Sequence, residues 1–158
     1  MSDTHDHISQ TRQALECFSE ERVDAIIHCG DFCAPFMIEI FDEVGVEFHC
    51  VFGNIDDRFR TTRMADAASN VTLHGDTAEL MFDGKRIGVV HYPEPARRMA
   101  ESGAYELVLF GHTHRTHEER IGETILCNPG EVMGRFGTRT VALYDTQTGE
   151  LRSYDLTR

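Results

Sequence analysis

Five short stretches of this chain carry residue types that bind divalent metals: Asp3-x-His5, Gly30-Asp31, Gly53-Asn54, His91 and Gly111-His112-Thr113-His114. Singly, each has an ordinary explanation. A histidine after a strand is usually satisfied within the structure, Gly-Asp is a common turn, and Asp-x-His near a terminus is usually solvated. Together they offer carboxylates, an amide oxygen and imidazoles. Two divalent ions held about 3.5–4 Å apart need a shared carboxylate to offset their repulsion, and Asp31 suits that bridging place. The oxygen and nitrogen donors are harder than a cysteine zinc site and suit Mn, Fe, Zn or Ni rather than Ca or Mg. A His-x-His on an extended segment can divide its two rings between neighbouring metals.

Residues so far apart need a scaffold that brings them to one rim. Residues 8–22 read as an amphipathic helix, with Ile8, Leu15 and Phe18 at helical spacing. Residues 23–29 read as a buried strand running into Gly30-Asp31, 34–43 as a helix opened by Pro35, and 46–52 as a strand ending at Gly53-Asn54. A polar helical stretch covers 59–68. Residues 71–82 and 86–91 predict a hairpin about Asp83-Gly84, with His91 at its exit. A helix over 94–102 follows, then a buried strand over 106–110 entering Gly111-His112, a strand over 124–127 closed by Asn128-Pro129-Gly130, and a hairpin of 139–145 with 150–156. Buried strands alternating with helices, then hairpins, predict an α/β fold of mixed sheet with helices outside. In such folds ligands collect beyond the carboxyl ends of strands, which is where Asp31, Asn54, His91 and His112 fall.

With 158 residues the chain fits one domain spanning 1–158. The 27 acidic and 15 basic residues give a formal charge of -12, which repels nucleic acid and anionic membranes and matches a surface kept soluble at high salt. Lys85 is the only lysine. Five cysteines without a CxxC pair fit free thiols in a reducing cytoplasm. No stretch has the length of a membrane span, and the start lacks a signal-peptide pattern, so a cytoplasmic location is expected. The apolar segment 32–41 fits either a core helix or a homo-oligomer contact.

The order Asp-x-His, Gly-Asp, Gly-Asn, His and Gly-His-x-His resembles the calcineurin-like metallophosphoesterases, specifically their small single-domain prokaryotic phosphodiesterase branch. The resemblance runs from Ser2 to the last hairpin and includes Asn128-Pro129-Gly130. It implies two packed mixed sheets flanked by helices, and a dinuclear centre, with Mn the first choice and Ni, Zn or Fe the alternatives. Asp3, His5 and His114 would bind one metal, Asn54, His91 and His112 the other, and Asp31 would bridge. The implied reaction is hydrolysis of a small soluble phosphate ester by water activated between the metals, with Asp31, Asn54 and His91 closest to the chemistry.

Three features depart from that pattern. The family has a buried central strand just before Ser-Asp-x-His, whereas here Met1 alone precedes Ser2, so the first strand is expected to be missing, the ligands Asp3 and His5 to lie on a fraying end, and the native chain to begin upstream. Ile55 stands where many relatives carry a histidine that protonates the leaving group. Tyr92-Pro93 follows His91 where relatives have Gly-His. The competing reading is a protein-interaction module resembling the retromer subunit of this fold. Retention of all seven ligand positions favours the enzyme. His7 lies close to the proposed site but could equally cap or flank the first helix, His28, His49, His74 and His117 are read as structural or solvated, and Arg58, Arg60 and Arg63 could bind a phosphate tail, although a charged helix face is the commoner fate of such residues.

Overall fold

A computed structural model describes residues 1–157. In chain order the elements are α1 (Ile8–Glu20), β1 (Ala25–His28), α2 (Met37–Asp42), β2 (Glu47–Cys50), α3 (Arg58–Ala65), β3 (Val71–Leu73), β4 (Thr77–Phe82), β5 (Lys85–Val90), α4 (Pro93–Glu101), β6 (Leu107–Leu109), β7 (Thr116–Ile121), β8 (Thr124–Pro129), β9 (Thr140–Asp145) and β10 (Glu150–Asp155). The chain has the expected α/β architecture of mixed sheets flanked by helices.

Strands β1, β2 and β3 form a parallel sheet. A second sheet has the order β4-β5-β6-β8-β7, with β5, β6 and β8 parallel and both outer strands antiparallel to their neighbours. Strands β9 and β10 pair as a hairpin. β6 is buried on both faces, which explains why its sequence is an unbroken apolar run.

Three apolar clusters separate the layers. Phe18 of α1 and Ile38, Ile40 and Phe41 of α2 pack on Ile26, Phe48 and Val141. In this layer Phe41 stacks on Phe48 with ring centroids 4.4 Å apart. Ile27, Leu80, Ile87, Leu109 and Ile125 fill the space between sheets. On the far side, Ala96 and Ala100 of α4 cover Val108, Phe110 and Leu126. Within segment 32–41, Phe32, Met37, Ile38, Ile40 and Phe41 are buried in the core, while Phe36 and Glu39 are exposed.

The structure corrects several local readings. Residues 71–82 are two strands: β3 joins β2 in one sheet while β4 joins β5 in the other, and the chain turns between them at Gly75 with φ +81°. β7 was not expected because its residues are largely exposed and polar, leaving no periodic signal. α2 begins at Met37, not at Pro35.

Among the described residues β1 has no strand on the edge away from β2, and β9 pairs only with β10. A cavity of about 310 Å³ lies between these two edges, lined by Ala25, Ile26, Ile27, Ala142 and Leu143 among others. Residues 1–4 are nonetheless buried. The Met1 amine donates to Ile27 O (2.8 Å), Cys29 N–H donates to Met1 O (3.0 Å), and Val132 N–H donates to Ser2 O (3.1 Å). The start of the chain is thus tied on both sides rather than fraying.

Candidate metal centre

The seven singled-out residues come from five parts of the fold. Asp3 and His5 lie in the tied segment before α1, Asp31 and Asn54 in the loops after β1 and β2, His91 directly after β5, and His112 and His114 after β6. All reach one rim. Asp3, His5, Asp31 and His114 each bring a ligand atom within 4.8 Å of the others, and so do Asp31, His91 and His112; Asp31 belongs to both groups. Asn54 joins the second group, its Oδ1 lying 3.1 Å from His91 Nε2 and 2.9 Å from His112 Nδ1.

The backbone is strained where these residues sit. Asp3, His5, Asp31, His112 and His114 all have φ between +45° and +67°, five of the nine non-glycine residues with positive φ among the described residues. Each such residue costs on the order of 1–3 kcal/mol and persists where its surroundings force it. Here the forcing contacts are visible. The Asp56 carboxylate accepts from the N–H groups of Gly53 (2.7 Å), Cys33 (2.6 Å) and Asp31 (3.1 Å), clamping the β1 and β2 loops together. The loops nest so closely that a Cβ on Gly53 would fall on Asp31 Oδ1. Asn128 holds the β6 loop, donating to Gly111 O (2.7 Å) and Thr113 Oγ1 (3.0 Å).

Ring orientation is also fixed. His91 Nδ1 donates to Cys29 O (2.8 Å), leaving Nε2 turned to Asp31 Oδ2 (3.3 Å). His114 Nδ1 faces Glu131 Oε2 at 2.7 Å, leaving Nε2 turned to Asp3 Oδ1 (3.3 Å). This pattern, with the outer nitrogen bonded to an acceptor and the inner one bare, is how metal-binding imidazoles are held. Burial opposes charge on Asp31, but the His91 contact and the Ile55 N–H outweigh it and keep the carboxyl below its usual value. Burial likewise pushes His91 down, and the Asp31 carboxylate more than reverses this.

The donors fit divalent cations on a structural test. Asp3 Oδ1 and His5 Nε2 are buried and lack any hydrogen-bond partner among the described residues. They lie 3.8 Å apart, and His5 Nε2 is also 3.8 Å from Asp31 Oδ2. Orphaned buried donors and acceptors are costly. A cation between them satisfies both.

Residues 1–149 match the model of the calcineurin-like phosphoesterase superfamily domain. The chain belongs to that family. It is 33% identical over 156 residues to a phosphodiesterase of Methanocaldococcus jannaschii, covering 96% of this chain and 94% of the relative. A solved archaeal phosphodiesterase superposes with a TM-score of 0.89 at 31% identity, covering 98% and 96% of the two chains. Vacuolar Protein Sorting 29 of Cryptosporidium parvum shares the fold, with a TM-score of 0.65 at 14% identity over 98% and 93%. The family is one of phosphoester hydrolases, and this chain is placed among them.

Sequence reasoning missed Glu131 and Asp56. Both are acidic residues in a chain holding 27 of them, and nothing local marked these two as buried. The lesser histidines fall as read. His28 is buried with Nε2 3.1 Å from Thr4 Oγ1, His49 pairs with His74 at 3.0 Å, His117 is exposed, and His7 precedes α1 without capping it. Arg58, Arg60 and Arg63 lie on α3, where Arg58 pairs with Asp76. Among the described residues no helix is long and apolar enough to cross a membrane, and all five cysteines are free.

Proposed function

We propose that this protein is a metal-dependent phosphodiesterase that hydrolyses a small soluble phosphate ester. The observation that carries this reading is Asp31, a buried carboxylate belonging to two ligand groups at once. Asp3, His5 and His114 would hold one divalent ion and Asn54, His91 and His112 the other, with Asp31 shared between the two groups; manganese suits the mixed donors best, with nickel, zinc and iron as alternatives. When bound, the two ions supply an activated water and positive charge against the phosphoryl oxygens.

The side chains do the rest. Asn54 turns its oxygen toward His91 and His112, so its amide nitrogen is left to donate to a phosphoryl oxygen. Glu131 and Cys29 O hold His114 and His91 in the orientation that presents Nε2. Asp56 keeps Asp31 and Asn54 in register across two loops. Ile55 is 46% exposed beside Asn54 and has no proton to give. Tyr92 packs on the His112 ring with centroids 4.8 Å apart. The lack of a proton donor at position 55 favours esters whose alcohol is a good leaving group.

The interaction-module reading gains only the fold from its structural likeness, while the strained backbone and orphaned atoms of this rim suit metal chemistry. Asp31→Ala tests the proposal. Metal content per chain falls from two ions and turnover is lost with it. Two ions retained, or turnover retained, sinks the assignment of Asp31.

A further inference from the structure

We propose that Arg115, Arg135 and Phe136 form an anion subsite beside the dinuclear centre, and that the substrate is a phosphodiester carrying a second phosphate group. The inference rests on the phosphodiesterase reading and names its substrate class.

The ring of Phe136 is 58% exposed and meets the His114 ring edge-on, centroids 5.8 Å apart. Two guanidiniums share that ring, with Arg115 Cζ 5.7 Å and Arg135 Cζ 5.4 Å from its centroid. Neither arginine has a carboxylate partner among the described residues, although Arg12, Arg58, Arg86 and Arg97 all do. In a chain with 27 acidic residues, two such guanidiniums on one phenyl ring next to a metal ligand form a local exception to the field. The guanidinium fork matches phosphate geometry, and the ring face orients it without consuming its donors.

The placement is built rather than incidental. The Phe136 N–H donates to Glu131 Oε1 (2.5 Å), and Glu131 Oε2 holds His114. Arg115 follows His114 directly in sequence. One buried carboxylate therefore fixes both the imidazole and the arginine platform. The chain turns back around Phe136 through Gly134 and Gly137, at φ +82° and +98°, closed by the Gly137 N–H to Gly134 O bond (3.2 Å). The subsite lies on the Asp3 and His114 side, whereas Tyr92 packs on His112. A substrate spanning both has an apolar substituent toward Tyr92 and a phosphate-bearing one toward Phe136.

The test measures binding without turnover. Manganese-loaded protein is titrated by calorimetry with propyl phosphate and with propane-1,3-diyl bisphosphate. The bisphosphate binds about tenfold tighter, and Arg115→Ala or Arg135→Ala each removes most of that advantage while leaving propyl phosphate unchanged. Arg135→Lys restores only part, because a point charge replaces a fork. Equal affinity for the two ligands overturns the subsite, as does an equal loss for both ligands in the arginine variants. Hydrolysis of a simple activated diester separates the two claims. If it proceeds with metal while the bisphosphate shows no advantage, the subsite fails and the phosphodiesterase reading stands.

Discussion

Glu131→Gln isolates the role of one buried carboxylate. In the native chain Glu131 is fully buried, accepts the Phe136 N–H with one oxygen and faces His114 Nδ1 at 2.7 Å with the other. A carboxylate there requires the proton on Nδ1, which leaves the Nε2 lone pair directed at Asp3 and the first ligand group. Glutamine keeps the volume and one acceptor oxygen for Phe136, so the loop stays in place. Its amide nitrogen then faces His114 Nδ1, and a donor opposite that atom favours the tautomer with the proton on Nε2, the wrong nitrogen for a metal. Losing such an outer partner weakens metal binding by about 10- to 100-fold, roughly 1.4–2.7 kcal/mol. Calorimetric titration of metal-stripped protein with Mn reads this as one weakened binding event out of two, with unchanged far-UV dichroism. Two unchanged events would refute the tautomer argument, and equal weakening of both would show that Glu131 acts on the fold and not on His114.

Three further outcomes follow from the same geometry. Gly53→Ala places a methyl on Asp31 Oδ1, so metal stoichiometry drops at both sites although Gly53 binds nothing itself; two ions bound at native affinity would contradict the nested-loop account. Burial holds His28 well below its usual value, so the unfolded chain takes up a proton that the native chain refuses. Stability therefore falls as pH drops below about 6.5, by about 1.4 kcal/mol per pH unit from this group. His28→Asn removes one proton from the pH slope in denaturant melts, and an unchanged slope counts against it. Finally, we propose that the cavity between β1 and β9 suits a strand. A run of five Val and Ile residues placed before Met1 raises the melting midpoint by about 10 °C, equivalent to a few kcal/mol, whereas a Gly/Ser run of equal length does not. Equal midpoints would show that the two edges do not accept it.

Among the parallel strands, β6 was legible as an unbroken apolar run buried on both faces, and β1 and β2 as short, largely apolar segments in which alternate residues are buried. The site was legible because its donors follow those strands in a fixed order. β7 was not, since six largely solvent-facing residues carry no pattern. The β3 and β4 boundary was hidden because both pieces are strand-like and only their partners differ. Glu131 and Asp56 were invisible for another reason. A carboxylate that holds a loop by accepting N–H bonds looks, in sequence, like any surface acid. Met1 through Thr4 were misjudged as fraying because their hydrogen bonds come from residues 27–30 and 132–133, which no local reading connects.

The central claim is that two metal ions at this rim cleave a phosphodiester. Metal-stripped protein is incubated with an activated aryl phosphodiester and with the matching monoester, titrated with Mn, Ni, Zn and Mg at high and low salt. The account predicts diester turnover restored as two equivalents of Mn bind, with the monoester slower. Folded protein with two ions bound and no diester turnover under any metal would contradict it.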